Sequence, residues 1–256
     1  KLFIEDELTI IEKTGTEVPF KLNPIQDKFV QEATGKDIIL KGRQMGFSSF
    51  ILASFTKDFI FKKNSLSVVV ADISDNALDL LARVKGYIKA FEHVNNVKIP
   101  LKYNSKYELQ NGANGARYII GTAENTEFGR SKTITNLHFS EAAFYKHFEK
   151  LLAGAGTALV PNGKFVIETT ANGFNSFKSF YNESELGETD FTAHFYPSQD
   201  FYDAEFLERE KKRLGRLFDQ EHPSSAEIAF ITSGETYFDS EAMRYYLENT
   251  KEPMKV

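Results

Sequence analysis

The feature that most constrains the fold is a series of short apolar runs, rich in β-branched residues, that alternate with segments of helical spacing. The runs are 37–41, 67–71, 117–121, 134–139 and 164–169. Runs that are apolar on both faces are typical of strands buried in a parallel sheet with helices on each side. Between the runs, 48–63 and 76–91 repeat apolar residues at intervals of three and four, which indicates amphipathic helices. This alternation predicts a doubly wound, mostly parallel α/β fold.

Two parts of the chain depart from this alternation. The turn sequence Asn-Gly-Ala-Asn-Gly at 111–115 separates 98–110 from 117–121, so we expect these two segments to pair as antiparallel additions to the sheet. After about residue 175 the sequence becomes charged and rich in helical patterns. The expected organisation is a core over 1–175, the rest of the same domain with a small helical subdomain over 176–240, and the start of a linker over 241–256.

Composition excludes several classes of protein. With 41% hydrophobic residues, 24 Phe and 11 Tyr in 256 residues, the chain can bury a core and is not a disordered segment. It contains no cysteine, which excludes disulfide scaffolds and thiol nucleophiles, and its five histidines lack metal-ligand spacing. The net charge of −5 argues against histone-like, non-specific binding of nucleic acid, but it is compatible with a local basic face. Because neither a membrane-length apolar run nor a secretory signal is present, we expect a soluble intracellular protein.

The most informative stretch is Leu-Lys-Gly-Arg-Gln-Met-Gly-Phe-Ser-Ser at 40–49, which follows a predicted strand and opens a predicted helix. Phosphate-binding loops of the form G-x-x-x-x-G-K-[ST] occur in this context. Here Lys41 replaces the first glycine and Phe47 replaces the phosphate-binding lysine, while Gly46 and Ser48 keep their places. The cation that contacts the γ-phosphate is then expected to be Arg43, our first choice, or Lys41. Restoring the lysine by Phe47→Lys is expected to be sterically tolerated. An ordinary strand-to-helix turn is the alternative interpretation.

Three further stretches carry weaker signals. The strand 134–139 is followed by Ser140 and Glu141, a position where acidic residues hold Mg²⁺ and orient the attacking water. The sequence Thr-Thr-Ala-Asn-Gly at 169–173 ends the next strand with groups that can sense a γ-phosphate, and Gln26 offers an amide to an adenine edge. Each has a plainer alternative, namely a surface glutamate, a strand-to-turn boundary and a helix start.

Taken together and in this order, the stretches resemble the ATPase domain of the large terminase subunit of tailed bacteriophages. That family has an adenine-reading Gln, a deviant loop G-R-Q-x-G-x-S, a strand ending in Glu-Ala-Ala-Phe, and a coupling motif T-T-x-N-G. The matching residues here are Gln26, 42–48, 141–144 and 169–173. Residues 223–234 are also similar to the late family signature P-x-x-x-E-x-A-F-x-x-S-G. The resemblance extends from about residue 22 to about residue 239.

The resemblance implies a role for each of these positions. The implied ATP-binding residues are Gln26, Lys41, Gly42, Arg43, Gln44, Met45, Gly46, Phe47, Ser48 and Ser49. The implied coupling residues are Thr169, Thr170, Ala171, Asn172 and Gly173. Glu141 is implied as the general base and Arg130 as an arginine finger that completes a neighbouring subunit's site. Ser48 is implied as a ligand of Mg²⁺, which Ser140 would support only through water.

The resemblance also implies a function. It implies a RecA-like, additional-strand P-loop ATPase, with Walker A and Walker B elements, that hydrolyses ATP as a molecular motor for viral genome packaging. The implied partners are double-stranded viral DNA, the portal protein, the small terminase subunit, and copies of the chain in a ring, usually of five, on the capsid. The isolated chain would be a monomer, located in the host cytoplasm without membrane contact and docking transiently on the procapsid portal. We expect the family's nuclease activity to belong to a domain outside this chain.

Two other functions stay open at this stage. A helicase-like nucleic-acid-dependent ATPase shares the Gln motif, the phosphate loop and a Thr-rich motif, although 256 residues leave no room for a second RecA-like half. A degenerate nucleotide-binding scaffold without turnover is compatible with Phe47 and Ser140.

Overall fold

The predicted alternation of strands and helices is present in the computed structural model, which describes residues 1–12, 14–127 and 132–233 and the single positions 242, 245, 246 and 249. The strands are β1 Thr9–Ile11, β2 Glu17–Pro19, β3 Lys36–Lys41, β4 Leu66–Ala71, β5 Leu101–Asn104, β6 Glu108–Asn111, β7 Arg117–Thr122, β8 Ile134–Ser140, β9 Leu159–Thr169 and β10 Thr192–Tyr196. The helices are α1 Leu2–Glu7, α2 Pro24–Glu32, α3 Phe47–Phe61, α4 Ser74–Asn95, α5 Phe148–Gly156, α6 Ser176–Glu185, α7 Ala204–Leu214, α8 Phe218–Glu221 and α9 Ala226–Thr232. Within these ranges no helix is long and apolar enough to cross a membrane.

The main sheet has eight strands in the order β10-β3-β9-β8-β4-β7-β6-β5. The strands from β10 to β7 run parallel, and β6 and β5 are added antiparallel at one edge. The hairpin expected around 111–115 is therefore present, with Leu109 opposite Tyr118. The fold class predicted from the sequence, a mostly parallel sheet flanked by helices, is confirmed, and the structure adds that β9 lies between β3 and β8.

Two hydrophobic clusters cover the two faces of the sheet. Alternate residues of β3 divide between them, since Ile39 belongs to the cluster built with α3 and α4, whereas Ile38 and Leu40 belong to the cluster built with α5, α6 and α9. The same division holds for β4, where Val69 lies on one side and Val68 on the other. Side chains of a strand alternate between faces, so two covered faces require the continuous apolar runs seen in the sequence.

Strand β10 was not predicted, because its sequence Thr-Ala-His-Phe-Tyr lacks an apolar run. It extends the sheet by pairing with β3 in parallel, so the chain after residue 175 returns to the core before α7 to α9 begin. A side-chain contact accompanies this backbone pairing, since Nε2 of His194 lies 2.9 Å from Oδ1 of the buried Asp37. Burial alone would raise the pKa of Asp37, but its hydrogen bond with His194 and the backbone N–H groups of Thr34 and Gly35 lower it.

Candidate active site

Three neighbouring strands bring several of the predicted site residues, including the predicted base Glu141, to the same end of the sheet. Strands β3, β9 and β8 are adjacent and parallel, so their carboxyl ends lie side by side. Lys41 ends β3, Thr169 ends β9, and Ser140 ends β8 with Glu141 directly after it. Ligands of open α/β sheets bind at this end.

Lys41 lies at the centre of this end of the sheet, almost completely buried. Its Nζ donates to Oε1 of Glu141 at 3.2 Å and lies 3.1 Å from Oε2 of Glu168, while 5% of its side chain is exposed. Burial alone would lower the pKa of Lys41, but the two carboxylates raise it above its usual value. The ammonium is therefore charged at neutral pH and is shared between two acidic groups.

Glu168 belongs to this site although none of the predicted motifs includes it. Its side chain is fully buried, and its Oε1 accepts hydrogen bonds from Oγ of Ser48 at 2.7 Å and from Oγ of Ser140 at 2.8 Å. Nε2 of His138 lies 3.3 Å from the same oxygen. Burial alone would raise the pKa of Glu168, yet Lys41 and these hydrogen-bonding neighbours hold it well below the usual range. The signal was available: Ser140 leaves an acidic position unfilled, and Glu168 directly precedes the coupling motif.

Glu141 is held in an uncommon backbone conformation. Its φ of 56° and ψ of 48° lie in the left-handed region, which a non-glycine residue adopts at a cost. Its backbone N–H donates to the carbonyl of Glu168, and its Oε2 accepts from the N–H and hydroxyl of Thr170 at 3.0 and 3.2 Å. Oγ1 of Thr169 adds a third contact at 3.3 Å. Two of the predicted coupling residues thus contact the predicted base directly.

The loop between β3 and α3 has the form of an anion-binding turn. Gly46, with φ of 78°, is the N-cap of α3, and among the described residues no side chain caps this helix. Gln44 also lies in the left-handed region at φ 57°. The first N–H groups of a helix have no partner within the helix and attract anions. Ser48, in the first turn of α3, places its hydroxyl between this loop and Glu168.

Gln26 supports the loop from the side. Its amide closes the capping box of α2, because Oε1 accepts from the N–H of Asn23 while the Asn23 side chain accepts from the N–H of Gln26. Its Nε2 donates to the carbonyl of Gly46 at 2.9 Å. The side chain is buried. Gln26 therefore fixes the position of the loop, and its contact with adenine stays a prediction.

Two residues of the loop take places that the sequence did not predict. Arg43 points outward, with 63% of its side chain exposed, and its guanidinium pairs with Glu221 at 2.8 Å. Phe47 is completely buried and packs against Tyr196 and Phe29, with ring centroids 4.9 and 5.9 Å apart. The expectation that Phe47→Lys fits is wrong, because the ammonium would be buried among aromatic rings. Met45 is also buried, whereas Ser49 accepts a hydrogen bond from Arg83.

The rest of the predicted coupling motif connects the site to the C-terminal end of α9. Asn172 donates to the carbonyl of Ala143 at 3.2 Å, and the N–H of Gly173 donates to Oγ of Ser233 at 2.8 Å. Ala171 and Ser233 are buried. The serine of the late signature therefore has a defined partner in the coupling motif. Arg130, the predicted finger, lies outside the described residues.

Comparison with known proteins gives a result for structure alone, since neither a family model nor a curated protein sequence matches. The large terminase ATPase domain of Thermus phage P74-26 is similar with a TM-score of 0.61 and 18% identity, over 79% of this chain and 93% of that one. The HK97 bacteriophage large terminase is similar with a TM-score of 0.62 and 16% identity, over 94% of this chain and 50% of that one. The chain has the fold of a phage large terminase ATPase domain.

A third phage terminase has a similar fold and was solved with bound nucleotide. The large terminase of the thermophilic bacteriophage D6E, solved in complex with ATP-γ-S, is similar with a TM-score of 0.57 and 13% identity, over 78% of this chain and 51% of that one. The same terminase was solved with ADP. This chain spans about half the length of the HK97 and D6E terminases. The resemblance seen in the motifs is thus confirmed at the level of the fold.

The donor atoms around Ser48 fit a magnesium ion. The hydroxyls of Ser48 and Ser140 and the carboxylates of Glu141 and Glu168 are all oxygen donors, the type that Mg²⁺ prefers. One ammonium, that of Lys41, faces two carboxylates, so these three groups carry a net charge of −1. Mg²⁺ usually takes one or two protein groups together with substrate phosphates, so this sparse set is sufficient.

Proposed function

We propose that this chain is the ATPase motor domain of a viral terminase large subunit, which hydrolyses ATP to move double-stranded DNA into an empty capsid. The observation that carries the proposal is the convergence of Lys41, Ser48 and Glu141 at the carboxyl ends of adjacent strands, in the terminase fold. Neither a plain strand-to-helix turn nor a surface glutamate accounts for a buried lysine shared between two acids.

In this proposal the phosphates of ATP lie on the backbone of residues 42–46 and on the first turn of α3. Lys41 turns from its carboxylate partners toward the terminal phosphate, whose charge it neutralises. Glu141, oriented by Thr169 and Thr170, accepts a proton from the attacking water. Mg²⁺, when bound, would neutralise phosphate charge, and Ser48 would hold it directly while Ser140 would do so through water.

The cation that we propose for the γ-phosphate is Lys41, which reverses the order expected from the sequence. Arg43 is exposed and already paired with Glu221 on the outer side of the loop. Lys41 is enclosed at the strand ends within 3.2 Å of Glu141, the proposed base. A cation in a low-dielectric position beside the reacting atoms stabilises transferring charge more than an exposed one does.

The wider setting of the motor is also part of the proposal. Hydrolysis is linked to DNA movement through Thr169, Thr170 and Asn172. The two threonines donate hydrogen bonds to Glu141, and Asn172 donates to a carbonyl of the turn 142–144. The partners are double-stranded DNA, the portal protein, the small terminase subunit, and further copies of this chain in a ring. Location in the host cytoplasm with transient docking on the procapsid follows from these partners.

The test is phosphate release by Glu141→Gln compared with the native chain. Loss of a positioned base costs about 10²–10⁴-fold in rate, so the variant should lose turnover and still bind ATP. Glu183→Gln, at an exposed position of α6, is the matched control and should be unaffected. A native chain that binds ATP without turnover under motor conditions would favour the degenerate scaffold. Strand separation in an unwinding assay would favour the helicase-like alternative.

Arg130 is proposed as the finger that acts on a neighbouring subunit. An Arg130→Ala chain keeps its own Glu141, and a Glu141→Gln chain keeps its finger, so each should be inactive in a ring of one kind. Rings assembled from a mixture of the two variants should regain part of the activity, because one variant provides the arginine and the other provides the base. An arginine finger of this type raises the rate by about 10³–10⁵-fold and can be supplied by a neighbouring subunit. Full activity of Arg130→Ala alone, or no recovery in proven mixed rings, would refute the role in trans.

A further inference from the structure

Strand β8 lacks the acid that P-loop ATPases use to hold Mg²⁺. In those enzymes the ion is held by the Ser or Thr of the phosphate loop together with an aspartate of the Walker B strand. Ser48 provides the first of these groups here. Ser140, which precedes the proposed base Glu141, stands where the aspartate would be and carries no charge. The required negative charge must come from elsewhere or be missing.

The neighbouring strand supplies a carboxylate at the same level. In the parallel register of β8 and β9, Ser140 pairs with Glu168. Oε1 of Glu168 accepts from Ser140 at 2.8 Å and from Ser48 at 2.7 Å, so both hydroxyls converge on one oxygen. The carboxylate therefore contacts both the loop serine and the serine that stands in for the aspartate.

Glu141 does not fill this position. Its Oε2 is held by Thr169 and Thr170, and its Oε1 by Lys41, so both of its oxygens have partners other than the two serines. Glu168, by contrast, is fully buried, and its ion-pair partners among the described residues are Lys41, which it shares with Glu141, and His138, which is a cation only when protonated. A fully buried carboxylate whose permanently charged partner is shared with a second carboxylate is costly to maintain. A divalent ion bound beside it would balance that charge.

We propose that Glu168 has taken over, from the adjacent strand, the magnesium-binding role of the missing Walker B acid. This inference rests on the proposed function, since the ion arrives with the nucleotide. Glu168 and Ser48 together position the ion, and Ser140 orients Glu168 by donating to it. Glu141 is thereby left free to act on water.

The test measures metal affinity rather than turnover. Binding of Mn²⁺ to the chain saturated with a non-hydrolysable ATP analogue is followed by electron paramagnetic resonance, and binding of the analogue in EDTA is measured separately. Glu168→Gln should weaken Mn²⁺ binding by about 10- to 100-fold, the usual loss when a group that ligates or orients a metal site is removed. Glu183→Gln should leave it unchanged.

A transposed variant keeps the proposal testable if Glu168→Gln does not fold. Ser140→Asp combined with Glu168→Ser returns the acid to β8 and keeps one buried carboxylate near Lys41. It should bind Mn²⁺ with affinity close to that of the native chain. Native Mn²⁺ affinity in folded Glu168→Gln, or Mn²⁺ binding by the folded transposed variant that is about 10-fold or more weaker than that of the native chain, would overturn the inference and leave the proposed function standing. A native chain that binds no ATP analogue would overturn the proposed function as well.

Discussion

Replacement of Lys41 by methionine removes the ammonium at the centre of the site and keeps most of the side-chain volume. Glu168, fully buried, would lose its cation, whereas Glu141 is 30% exposed and can still be hydrated. Breaking a buried ion pair by removing one partner costs about 3–5 kcal/mol. For a chain of this size each kcal/mol lowers the Tm by about 2–4 °C, so Lys41→Met should lower it by roughly 6–20 °C.

Arg43→Met is the matched control for this experiment. The pair of Arg43 with Glu221 is largely exposed on the arginine side, and such pairs contribute about 0–1 kcal/mol. Both variants are compared by thermal and urea denaturation without nucleotide. A double variant, Lys41→Met with Glu168→Gln, should recover part of the loss because an amide needs no counterion. Equal Tm values for Lys41→Met and Arg43→Met, or no recovery in the double variant, would refute the reasoning.

The pH dependence of the same variants provides a second measurement. In the native chain the folded-state pKa of Glu168 is below its ordinary value of 4.5, so its stabilising effect is present above pH 4.5 and is lost as the pH falls toward the folded pKa. In Lys41→Met, burial without a cation should raise that pKa above 4.5. The sign then reverses, and the stability of this variant relative to the native chain should improve as the pH is lowered. Urea midpoints measured between neutral pH and pH 4 check this reversal.

Two further substitutions test contacts that hold the site in place. A Cβ added at Gly42 would overlap with Oγ of Ser198, so Gly42→Ala should destabilise the chain by about 1–3 kcal/mol. Gly86→Ala, on α4 with open space around it, should instead stabilise by roughly 0.5–1 kcal/mol, and equal urea midpoints for the two would contradict this. Ser233→Ala leaves the N–H of Gly173 without its acceptor and should cost about 1–3 kcal/mol by urea denaturation. A native midpoint for that variant would show that the link is not needed.

Local signals predicted much of the site. Glu141, Ser48 and Thr169 were identified from motifs that lie within a few residues of a strand end, where the pattern of one segment is sufficient. The sequence favours Arg43 over Lys41 as the phosphate-binding cation, because position within a loop does not reveal which side chain faces the core. The sequence also predicts that Phe47 can be replaced by lysine, although the structure buries Phe47 against Tyr196.

The alternation of strands and helices is decided by the sequence itself, because two-sided burial of a strand requires a continuous apolar run that can be read along the chain. Which strands become neighbours is decided only by the tertiary structure. The pairing of Ser140 with Glu168 joins residues far apart in sequence, and it depends on β9 lying between β3 and β8. Strand β10 likewise pairs with β3 although the two strands are far apart in sequence, and His194 contacts Asp37 across that pairing. The charge balance around Lys41 arises from such long-range pairing, which periodicity within one segment does not encode.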